Sequence, residues 1–97
     1  MKLHPTKPSL IIFLSTSCPH CVKFQPVIKA MQNDHKFKKY HFIILYASNK
    51  EHLEDFQFYQ VNSVPSIKMY FPSIKKLLDY KGPNQASTIL KALQKYN

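Results

Sequence analysis

Residues 9–33, "SLIIFLSTSCPHCVKFQPVIKAMQN", pass from a continuous apolar run into a Cys-x-x-Cys pair and then into a helical pattern. The run at 9–14 has no polar alternation, as expected of a strand buried on both faces of a sheet. From 18 to 33, Phe24, Val27, Ile28 and Met31 recur at helical spacing. Pro26 falls inside that helix, where it deletes one backbone hydrogen bond and bends the axis. Cys18 therefore sits where a buried strand gives way to a helix, close to N–H groups that have no partner within the helix. Such donors favour a thiolate, and Pro19 suits the first turn because its missing N–H costs nothing there. Cys21, one turn further in, is expected to be more buried and less acidic. Cys18 then exchanges with substrate and Cys21 resolves the mixed disulfide. His20, between them, is expected to favour the Cys18 thiolate further, a bias towards oxidation or isomerisation.

Outward from this stretch, "YHFIILYA" (40–47) reads as a second buried strand, and "SNKE" (48–51) as a capping box. That box opens a short helix carrying Leu53 and Phe56 inward and ending near Gln60. "SIKMYF" (66–71) alternates, with Ile67, Met69 and Phe71 on one face, and "KKLLDY" (75–80) follows as its antiparallel partner. A last helix, 85–95, places Ala86, Ile89, Leu90 and Leu93 along one stripe. The order β-α-β-α-β-β-α implies a mixed sheet with helices on both faces.

Composition narrows the function classes. Of 97 residues, 44% are hydrophobic and 20% charged, the balance of one ordinary globular domain, 1–97, with 1–8 as an N-terminal extension. The 14 cations are all Lys, against five acids. Without Arg there is no bidentate fork for phosphate or guanine, so acidic partner surfaces fit this charge better than nucleic acid does. "HKFKKY" (35–40) reads as a solvated connection anchored by Phe37 and Tyr40, and Lys75 and Lys76 as charges guarding a hairpin edge. The apolar run Leu10–Leu14 is too short for a signal peptide or a membrane span, so the reading is cytoplasmic with no membrane association. Cysteines in that setting are catalytic or metal-binding more often than structural. Only Cys18, Cys21 and His20 cluster, fewer ligands than a closed zinc site needs, so neither metal nor cofactor is expected. His4, His35, His41 and His52 are scattered and receive no role, and Tyr46, Tyr70 and Tyr80 are read as packing.

Cys18-Pro19-His20-Cys21 at a strand-to-helix junction, Pro26 five positions later, and Val64-Pro65 ahead of a strand together resemble the thioredoxin superfamily. "VNSVPSIKMYFPS" (61–73) and "LLDYKGPNQASTILKAL" (77–93) resemble the second half of protein disulfide isomerase catalytic domains. The tetrapeptide is that of bacterial DsbA-type thiol oxidases. The resemblance covers residues 9–95 and implies a shortened α/β thioredoxin-like fold with a four-stranded sheet. It also implies a cis Pro65 facing Cys18, with Ser63, Val64 and Pro65 presenting an extended substrate segment. Two departures stand out: Ser17 occupies a position that is Trp in thioredoxins, and Ile12 stands where the family has a buried acid. The implied activity is thiol–disulfide exchange on protein substrates by a monomer, with a redox partner protein or glutathione. Two other readings stay open: a redox-inactive binding module for an acidic partner, and a glutaredoxin-like, glutathione-dependent enzyme suggested by Ser63-Val64-Pro65.

Overall fold

The computed structural model describes residues 3–96, so Met1 and Lys2 of the expected extension, and Asn97, lie outside the described residues. Strand β1 (Ser9–Leu14) is buried along its whole length. It pairs in parallel with β2 (His41–Tyr46) on one side and antiparallel with β3 (Ser66–Phe71) on the other. β4 (Lys76–Tyr80) closes the far edge against β3, giving the sheet order β2-β1-β3-β4. A strand at the centre of a sheet, covered on both faces, has no solvent side on which to place polar residues.

The two faces are covered by different helices. Leu10, Ile12 and Leu14 pack with Cys21, Phe24, Ile28 and Met31 of α1 (Pro19–Asn33) and with Ile89 and Leu93 of α3 (Ala86–Lys95). Ile11 and Phe13 point the other way, to Phe56 of the short α2 (Leu53–Phe58) and to Tyr59, each meeting Phe13 edge-on. Period-two alternation within an all-apolar strand thus feeds two cores.

Three sequence expectations are corrected. β2 is a sheet edge, and only Leu45 along it is fully buried. The helical segment after β2 is capped by Asn49 and not by Ser48: Asn49 Oδ1 accepts the Glu51 N–H at 2.9 Å and starts a 3-10 turn, Lys50–His52, ahead of α2. Leu53 is exposed rather than turned inward, and α2 ends at Phe58.

The connections behave as local chemistry dictates. Asp34 Oδ1 accepts the Lys36 N–H at 2.9 Å, capping the 3-10 turn His35–Phe37, and Phe37 and Tyr40 are buried within the 35–40 loop. The β3–β4 turn passes through Lys75 at φ 50°, a left-handed residue. Lys68 and Asp79, opposite one another across β3 and β4, form an ion pair.

Candidate active site

All the strand ends that matter lie at one end of the sheet. Leu14 leads out of β1 towards Cys18, Ser66 begins β3 after Pro65, and Tyr80 ends β4 ahead of the 81–85 loop. Cys18 is the N-cap of α1, with extended backbone at φ −93° and ψ 118°. In that conformation its side chain turns back over the first helical turn, and Sγ accepts the Cys21 N–H at 3.3 Å. Pro19 follows at the first helical position, exposed.

The two sulfurs have different surroundings. Cys18 is partly exposed and Cys21 is fully buried, and both are free thiols. The Cys21 side chain and then the Cys21 N–H donate towards Cys18 and lower its pKa most; burial opposes them more weakly, and the His20 N–H adds a smaller lowering still. Burial pushes Cys21 the other way, and its side-chain contact with Cys18 adds to that rise. Ser15 partly offsets this: its N–H donates to Cys21 Sγ at 3.4 Å. Ile12 is fully buried in the same apolar cluster as Cys21.

The Cys18 thiol also donates to the Val64 carbonyl at 3.7 Å, across 46 positions of sequence. The Val64–Pro65 peptide is cis. Val64 packs against both cores, so the segment that faces Cys18 is tied to the sheet. Ser63 beside it is exposed, and no hydrogen bond joins it to either cysteine among the described residues. The His20 side chain is exposed as well; what His20 gives Cys18 is its backbone N–H.

The structure adds residues that the sequence did not single out. Ser15 touches Cys21 through its backbone, and its Oγ lies 3.1 Å from Ser17 Oγ. His52 Nδ1 accepts the Tyr46 N–H at 2.9 Å, tying the end of β2 to the following turn. The Tyr80 hydroxyl donates to the Pro83 carbonyl and meets Thr88 Oγ1 at 2.9 Å, fastening the 81–85 loop to α3. Tyr80 is thus more than the packing residue that the sequence suggests. Among the described residues no three His, Cys, Asp or Glu side chains converge as a metal site would require, and no helix is long and apolar enough to cross a membrane.

A helix-capping Cys18 over a buried Cys21, facing a cis-proline segment, invites comparison with known proteins. The J-Trx1 fragment of ERdj5 superposes with a TM-score of 0.73 at 18% identity, over 93% of this chain and 41% of that one. Zinc-bound human ERp44 gives 0.77 at 13% identity, over 94% of this chain and 27% of that one. The thioredoxin of Fasciola hepatica gives 0.74 at 14% identity, over 94% of this chain and 82% of that one. The chain thus spans less than half the length of the first two, and the likeness at these identities is one of fold. No curated protein matches the sequence. The thioredoxin family model matches residues 2–95, nearly the whole chain, and the protein belongs to the thioredoxin family.

Proposed function

We propose that the protein is a thiol–disulfide oxidoreductase that acts on protein thiols and disulfides through Cys18 and Cys21, with an oxidising or isomerising bias. The observation that carries this reading is the asymmetry of the pair: an accessible Cys18 whose thiolate is favoured, over a buried Cys21 whose thiol is favoured. In the reducing direction the Cys18 thiolate attacks a substrate disulfide, forms a mixed disulfide and expels one substrate thiolate, which takes up a proton. Cys21 then loses its proton, attacks Cys18 Sγ and expels the second substrate thiolate. The substrate gains two electrons, and Cys18 and Cys21 are left as a disulfide. The oxidising direction is the reverse, with the substrate dithiol as electron donor.

The bias follows from the same donors. Groups that stabilise the Cys18 thiolate stabilise the reduced protein and make its disulfide a stronger oxidant. Ile12, in the apolar cluster that holds Cys21, offers no carboxylate to take the Cys21 proton, so resolution relies on solvent or on the departing substrate thiolate. Val64, with its carbonyl directed at Cys18, is suited to pair with an extended substrate backbone.

Equilibration in graded reduced and oxidised glutathione, with thiols trapped and counted by mass, tests the reading. A reversible two-electron transition at about −120 to −200 mV is expected, whereas one near about −270 mV would make the protein a reductase. Cys18→Ser is expected to abolish turnover, and Cys21→Ser to accumulate the mixed disulfide. If no Cys18–Cys21 disulfide forms anywhere in the series, the proposal fails.

A further inference from the structure

The rim of the site carries charge of one sign. The segments around Cys18 are 15–26, 62–65 and 81–85; they contain Lys23 and Lys81 and no acidic residue. The five acids of the chain lie elsewhere: Asp34 caps the turn beyond α1, Glu51, Glu54 and Asp55 belong to the segment after β2, and Asp79 is engaged with Lys68. Between the first turns of α1 and the 81–85 loop is a cavity of about 180 Å³ lined by His20, Lys23, Phe24 and Asn84. Small-molecule sites run from about 300 to 1,000 Å³, so this one has the size of a side chain rather than of a cofactor.

Its lining is an ammonium group, an amide, an imidazole and one aromatic wall, a set of hydrogen-bond donors suited to a carboxylate. The Tyr80 hydroxyl holds the loop that supplies Asn84 against α3 through Pro83 and Thr88, so the far wall is fixed rather than free. Lys23 is five positions along from Cys18, roughly 7 Å at 1.5 Å per helical residue. An extended substrate advances roughly 3.3 Å per residue, so two or three positions from the substrate cysteine span a comparable distance.

We infer that the cavity bounded by His20, Lys23, Phe24 and Asn84 is a substrate subsite that takes an acidic side chain two or three residues from the exchanging cysteine of a peptide. This rests on the exchange activity proposed above and adds a substrate class to it: disulfides or thiols set in acidic sequence. Exposed charge pairs are individually weak, so discrimination is modest and arises largely as faster encounter at low salt.

The test uses the reduced protein and three peptide disulfides identical except for Glu, Gln or Lys at the second and third positions from the cysteine. The Glu peptide is expected to react on the order of threefold to tenfold faster than the Lys peptide at low ionic strength, with Gln between them and the spread shrinking in added salt. Lys23→Gln is expected to narrow the spread and Lys23→Glu to invert it. Equal rates for the three peptides, or an order unchanged in Lys23→Glu, overturn the inference while leaving exchange itself standing. An effect of Lys23→Glu confined to glutathione disulfide, with the peptides unmoved, also overturns it and assigns the cavity to a free carboxylate-bearing thiol. No reaction with any of the three overturns the exchange reading, and the subsite with it.

Discussion

Cys18 and Cys21 are three positions apart, and their chemistry diverges because one caps a helix and the other enters the core. The first and largest influence on Cys18 is the side chain of Cys21, ahead of backbone donors. Alkylation by iodoacetamide against pH separates these influences, since only the thiolate reacts. A thiol with a lowered pKa becomes reactive at lower pH, so the Cys18 curve is expected to rise below the ordinary value of about 8.5, and that of Cys21 above it. Cys21→Ala is expected to shift the Cys18 curve to higher pH, because it removes the side-chain donor to Cys18. His20→Ala is expected to shift it less, since a backbone N–H survives the change. A larger shift from His20→Ala than from Cys21→Ala would put the imidazole, not the Cys21 side chain, in control. The asymmetry was legible from Cys-x-x-Cys after a buried strand. The part played by Ser15 was not, because its N–H reaches Cys21 only through the path of the 15–17 loop, which no local pattern encodes.

Elements were readable where the pattern involved one chain segment and misread where it depended on neighbours. The alternation at 66–71 and the stripe on α3 each emerged with the expected residues inward. The run 41–46, like 9–14, has five hydrophobic residues of six, yet β2 has a strand on one side only. Hydropathy reports how apolar a strand is and not how many partners it has. Ser48 and Asn49 are both good caps one position apart, and only the extended backbone at Asn49, φ −92° and ψ 118°, chose between them. The loop before α3 shows the same dependence on context. A Cβ at Gly82 would stand 2.7 Å from the Tyr80 hydroxyl oxygen and 2.9 Å from its ring carbon, and Tyr80 is not free to yield because it is bonded to Pro83 and Thr88. Gly82→Ala is therefore expected to cost about 1–3 kcal/mol in urea denaturation. Tyr80→Phe, which removes the hydroxyl but keeps the ring, is expected to cost about 1 kcal/mol. In a Tyr80→Phe background much of the Gly82→Ala penalty should vanish, since the ring can then move; additive costs would show that the clash is not the cause.

At the scale of the molecule the dominant quantity is charge. Fourteen lysines against five acidic side chains leave at least nine ammonium groups with no carboxylate to match. Folding gathers them onto a body of 32 × 26 × 21 Å with a radius of gyration of 12.7 Å, while an unfolded chain of this length spreads to roughly 30 Å. The folded state therefore carries the greater self-repulsion. Screening decides how much of it is felt. At about 0.01 M salt the Debye length is about 30 Å, comparable with the long axis of the protein, and every lysine acts on every other. At about 0.1 M it is about 10 Å, and only near neighbours remain coupled. The urea midpoint is expected to climb between these two sodium chloride concentrations, by an amount worth on the order of 1 kcal/mol, and then to level off. Chloride is the right anion for this measurement, because sulfate and phosphate also strengthen apolar burial and would raise stability whatever the charge. A midpoint that falls with salt would mean that pairs such as Lys68 with Asp79 contribute more than the lysine excess removes. The same screening slows encounter with an acidic substrate, so salt is expected to move stability and substrate preference in opposite directions.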